Sequence, residues 1–211
     1  MHLFTRMGQL GGREGDAMGW ACEVGAHVAT ASGRPLTVWA AQFGHPVGTV
    51  VWSVWVESLA DLDAAFSGLA NDKKYLTLVD KGQAFVQAPF VDSFRQVVHG
   101  PAEAGTAPAV GSMTTVTTAV IANGKYAEAV AWGTEMAEHV GHLSDAPSLF
   151  LLDDYGTFGQ VTWINGAADA AHADAANKSV NTDVIYIKRL GDVGEMFVPG
   201  SGQRALFSRI G

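Results

Sequence analysis

The feature that most constrains this chain is that it is written twice. At an offset of 112, without a gap, Met1, Thr5, Gly12, Ala17, Trp20, Glu23, His27, Val28, Ser32, Pro35 and Gly44 fall on Met113, Thr117, Gly124, Ala129, Trp132, Glu135, His139, Val140, Ser144, Pro147 and Gly156. A one-residue deletion sets Trp52 against Trp163, after which Asp80, Gly82, Phe85 and Val86 meet Asp192, Gly194, Phe197 and Val198 in the first register. Self-similarity on this scale means that one supersecondary unit is used twice. Pro101 to Gly111, rich in Pro, Gly and Ala, reads as a linker between units 1–100 and 112–211.

Each unit carries the same succession of patterns. His2 to Met7 and Met113 to Ile121 are short strands closed by glycine turns. Apolar residues then recur at spacings of three and four, through Ala17, Trp20, Val24 and Val28 and through Ala129, Trp132, Met136 and Val140. Pro35 and Pro147 stop these helices. Hairpins follow, Leu36 to Phe43 with Val47 to Val56, and Ser148 to Tyr155 with Gly159 to Ile164. Ser58 opens a second helix, Ala167 to Asn177 matches it, and shorter amphipathic segments lead into last strands at Asp92 to His99 and Gln203 to Ile210. The order β-α-β-β-α-β builds a ferredoxin-like unit, a four-stranded antiparallel sheet with helices on one face. Because Val47 to Val56 is apolar on both alternations, the open face needs a cover. The expected fold is therefore α+β, two tandem ferredoxin-like units with antiparallel sheets packed face to face as an intramolecular α/β barrel.

Composition narrows the partners. Thirteen Lys and Arg against 21 Asp and Glu give a net charge of −8 with no basic run, which argues against nucleic acid. No apolar stretch reaches the length of a membrane span, and no leader-like segment opens the chain. The single Cys22 cannot form an internal disulfide. A cytoplasmic protein is expected, as a monomeric pseudo-dimer or a homodimer, taking a small apolar or aromatic ligand.

The element order, together with Asn71-Asp-Lys-Lys-Tyr75, Gly82 and Phe94 to Val98 at the end of the first unit, resembles the dimeric α/β-barrel superfamily, and within it NIPSNAP-like and stress-responsive barrel proteins. That superfamily includes haem-degrading and antibiotic-biosynthesis monooxygenases, muconolactone isomerases, polyketide cyclases and members without assigned activity. The resemblance implies a small-molecule-binding barrel, with cofactor-independent monooxygenase-like or isomerase/cyclase-like chemistry, a non-catalytic ligand-binding or protein-interaction module, or a haem-binding barrel as alternatives. The haem-degrading branch uses an Asn on its first strand, and neither first strand here carries one. No cofactor is expected, with haem or a divalent metal as the alternatives.

The sharpest constellation is Trp-x-x-Glu-x-x-x-His, present as Trp20, Glu23 and His27 and again as Trp132, Glu135 and His139. Glu and His four apart are neighbours on a helix, so the carboxylate could orient the imidazole as a general acid/base, help ligate a metal, or form an intrahelical ion pair. His27, His139, Glu23 and Glu135 are the catalytic candidates; two side chains are too few for a metal assignment. Trp20, Trp132, Trp52 and Trp163 are expected to wall a cleft between helix and sheet. Asp153, Asp154 and Tyr155 replace Ala41, Gln42 and Phe43 in the second unit only. Adjacent strand residues face opposite ways, so one carboxylate meets a pocket; Asp154 and Tyr155 are taken as ligand contacts. His45, His99, His142 and His172 read as surface or turn residues, and Cys22 as inert.

Overall fold

The computed structural model describes residues 1–101 and 107–211; the remainder of the expected linker, 102–106, lies outside the described residues. Eight strands close into one antiparallel barrel with six α-helices. The first half is β1 (His2–Gln9), α1 (Glu14–Ser32), β2 (Leu36–Phe43), β3 (Thr49–Val56), α2 (Leu59–Phe66), a 3-10 turn at Ser67–Asn71, α3 (Lys73–Gly82) and β4 (Val91–His99). The second is β5 (Met113–Val120), α4 (Tyr126–Ser144), β6 (Ser148–Tyr155), β7 (Gln160–Ala167), α5 (Ala170–Thr182), α6 (Val184–Gly191) and β8 (Gln203–Arg209). No described helix is long and apolar enough to cross a membrane.

Around the barrel the strands run β1-β3-β2-β8-β5-β7-β6-β4. The two four-stranded sheets do not rest on each other as separate layers. They join edge to edge, β2 with β8 and β4 with β6, so that neither keeps a free edge. The open faces expected to need a cover thus become the barrel interior.

Helices pack on the outside because the large outward residues lie beneath them. Trp52 donates its indole N–H to the Ala21 carbonyl at 3.0 Å, and Trp163 donates to that of Gly133 at 2.9 Å. Gly133 lets α4 approach the sheet, since a Cβ there would strike the Phe150 ring. On β3, Val50, Trp52 and Val54 are buried under helices while Val51, Ser53 and Trp55 point inward. Val47, expected within this strand, lies in the preceding turn and is 84% exposed.

The ladders refine the correspondence between halves. His2 faces Val56 and Met113 faces Ala167, so the first strands correspond at an offset of 111, Arg6 with Thr117 and Gly8 with Ala119. The second half inserts one residue between strand and helix, which restores 112 by Trp20 and Trp132.

Candidate functional site

The outward face of the second half holds a cleft of about 300 Å³ between β5, β7 and the helices α4 to α6. Its aromatic walls are Trp132, Trp163 and Phe197, mutually edge-to-face at 5.6 to 6.0 Å, joined by Tyr186. Each indole is fixed, Trp132 donating to the Arg189 carbonyl at 3.3 Å and Trp163 to that of Gly133. Thr115, Thr117 and Ala119 form the floor, and Arg204, held by Asn177 at 2.8 Å, is the one charged side chain among its described lining residues.

The same region of the first half is filled. Phe4 and Thr115 hold matching ladder positions, as do Phe94 and Leu206. Four and eight residues beyond the N-caps Ser58 and Asp169, Leu62 and Phe66 stand where the second half has Ala173 and Asn177. Two residues ahead of Asp92 and Arg204, which pair with Arg6 and Thr117, come Phe90 and Gly202. The Phe90 ring packs edge-on against Trp52 at 5.5 Å and covers Gly8, where any Cβ would collide with it. A Cβ on Gly202 would meet nothing within 4 Å. Trp20 and Trp52 are consequently core, edge-to-face at 6.0 Å, with Trp20 bonded to the Leu78 carbonyl at 2.8 Å.

The Glu-His pairs do not form. His27 Nε2 lies 2.9 Å from Asp72 Oδ2, and His139 Nε2 lies 2.8 Å from Asp183 Oδ1. Glu23 instead takes Lys81 at 3.0 Å and Glu135 takes Arg189 at 3.1 Å. The reason is local: Asp72 and Asp183 cap α3 and α6, accepting the backbone N–H of Tyr75 and Tyr186, and stand over the imidazoles where α1 and α4 cross them. The backbone bond from Tyr75, then His27, holds the Asp72 carboxyl below its usual range; His139 does so for Asp183, with Tyr186 second. None of His27, His139, Glu23 and Glu135 lines the cleft.

At the end of β6 the inward residue is Asp153. Asp154, taken as the ligand contact, sits 3.2 Å from His2, and Tyr155 is 61% exposed beside Phe94. The strand alternation put one carboxylate inside without deciding which. His45 and His172, read as surface residues, line opposite ends of the barrel interior. Tyr186, Phe197 and Gly202 were missed; the Phe90 and Gly202 mismatch at the offset of 112 was the available signal. Among the described residues no three His, Cys, Asp or Glu gather as a metal site.

A closed eight-stranded α/β barrel with an aromatic helix-sheet cleft in one half defines the structural class. Solved structures share that fold across the whole chain. A provisionally named monooxygenase from Fusobacterium nucleatum superposes with a TM-score of 0.72 at 6% identity, covering 100% of this chain and 92% of the other. An anthrone oxidase-like protein gives 0.66 at 10%, covering 100% and 91%. A second provisionally named monooxygenase, from Lactobacillus acidophilus, gives 0.63 at 11%, covering 99% and 93%. At these identities the likeness is one of fold. No family model matches the chain, and no curated protein matches it.

Proposed function

We propose that the protein binds a small apolar or aromatic molecule in the second-half cleft and acts there as a monooxygenase-, isomerase- or cyclase-like enzyme. The observation that carries this is Gly202: it leaves open, beside Trp163, the volume that Phe90 occupies beside Trp52. Edge-to-face walls on two sides suit a flat ring, and Thr117, Asn165 and Tyr186 can orient its oxygens. Tyr186 is the phenol at hand for proton transfer, and His139 is a positioning residue that acts through Asp183 and α6. The name borne by one structural neighbour, an anthrone oxidase-like protein, agrees with an aromatic substrate, and the provisional names of two others agree with monooxygenase-like chemistry. The repeat in the sequence is read as a tandem duplication whose two clefts have since diverged.

Naphthalene titrated into methyl-labelled protein tests the reading. It is expected to shift the methyl resonances of Met136, Val140 and Leu190, which line the cleft. Gly202→Phe should abolish those shifts, and Phe90→Gly should create a second response around Trp52. Shifts that persist in Gly202→Phe would overturn the assignment.

A further inference from the structure

The barrel interior encloses about 710 Å³, more than twice the volume of the cleft. Eight-stranded barrels are just wide enough for side chains to fill or for one small ligand to enter. This one is not filled, because its inward positions are small: Thr5, Ser53, Ser93, Thr114, Thr118 and Ala205 stand where branched apolar residues would close the space. Leu3, Trp55, Val97, Leu149, Leu151 and Ile164 pack together as an apolar wall on one side. Phe207, Trp39 and Val116 add apolar surface elsewhere.

A belt of polar groups crosses this interior from strand to strand. Thr37 faces Ser53, Ser53 faces Thr5, and Thr5 faces Ser93. Trp39 donates to Thr37 Oγ1 at 2.9 Å and to Ser53 Oγ at 3.1 Å. Arg95, on β4, donates to Thr5 Oγ1 at 2.9 Å and to Asp153 Oδ1 at 2.8 Å, while Gln160 on β7 donates to the other Asp153 oxygen at 3.1 Å. Asp153 is 1% exposed and Arg95 13%. Beyond them the Thr162 hydroxyl is buried on the same inward face without a partner.

From these observations we infer that the barrel interior is a second ligand site, distinct from the cleft, for a neutral, mainly apolar molecule bearing a hydroxyl or carbonyl oxygen. Charge decides the class. Arg95, the cation inside the polar belt, is already neutralised by Asp153, Arg34 at one end is paired with Asp61, and Arg204 at the other is turned to Asn177 on the cleft side. The belt itself thus offers an anionic ligand no unpaired cation, yet the remaining guanidinium N–H groups of Arg95 can donate to a neutral oxygen. Burial raises the Asp153 carboxyl against the opposing pull of Arg95. The lining reaches both ends of the barrel, past Pro35 and Pro147 at one and past His45 and Thr157 at the other. His45, at that second end, is held toward its neutral form by burial.

The test uses the whole chain with 2-naphthol and naphthalene as probes. Bound 2-naphthol is expected to show intermolecular NOEs to the inward methyls of Val116 and Ile164, and to bind there about tenfold more tightly than naphthalene, the worth of one oriented hydrogen bond. The paired change Arg95→Met with Asp153→Leu, which leaves no lone buried charge, should keep those NOEs and erase the preference. Absence of NOEs to inward methyls, NOEs confined to Val140 and Leu190 of the cleft, or equal affinities for the two probes would each overturn it. Gly202→Phe should leave the barrel signals intact, so the two sites fail separately.

Discussion

At the scale of single residues, His27 and His139 do something other than their spacing suggested. Each reaches across to the N-cap of a later helix, tying α1 to α3 and α4 to α6 through Asp72 and Asp183. Both carboxyls are held below the ordinary range in the folded chain, so the unfolded chain takes up protons first as pH falls. Their contribution is therefore present above the ordinary Asp pKa of about 4 and is lost as pH drops through the depressed values. The double variant Asp72→Asn, Asp183→Asn keeps the caps but not the charges. Its urea midpoint should fall below wild type at pH 6 to 7, converge with it in acid, and show a shallower slope between; equal slopes would refute the linkage. The sequence displayed Trp, Glu and His at helical spacing but not their partners, because Asp72 lies 45 residues from His27 and only packing of α1 against α3 joins them.

At the scale of elements, the boundaries were legible where local chemistry sets them. β2 and β6 run over the segments predicted, and α1 ends before Pro35. The helix ends also differ between halves in an informative way. Gly33 closes α1 in the left-handed region at φ 67°, whereas Asp145 closes α4 there at φ 49°. Left-handed backbone costs a residue with a Cβ about 1–2 kcal/mol, partly offset by the greater unfolded-state freedom of glycine. Asp145→Gly should accordingly raise stability by about 0.5–1 kcal/mol, read as a higher urea midpoint with unchanged slope. A lower midpoint would mean that the Asp145 side chain contributes more than its backbone costs.

For the whole molecule, alternation in β3 showed that both faces are covered but not how. Face-to-face layering and edge closure share one hydrophobic pattern; the distinction lies in the β2–β8 and β4–β6 seams, which join strands about 60 to 170 residues apart by hydrogen bonds that side-chain periodicity does not encode. Since β4 and β8 hold matching places, as do β2 and β6, two copies of residues 1–100 can close the same way, β2 of each on β4 of the other. Light scattering on that fragment should give a dimer; a folded monomer would show that the seams tolerate open edges.

The contrast between Gly8 with Phe90 and Ala119 with Gly202 has a genetic consequence. A barrel assembled from two identical chains must alter both clefts whenever a mutation alters one, so a plugged cleft means two plugged clefts. Here each is specified by its own codons. One can serve permanently as a buttress while the other is free to change, so the asymmetry between the two clefts is written into the chain itself.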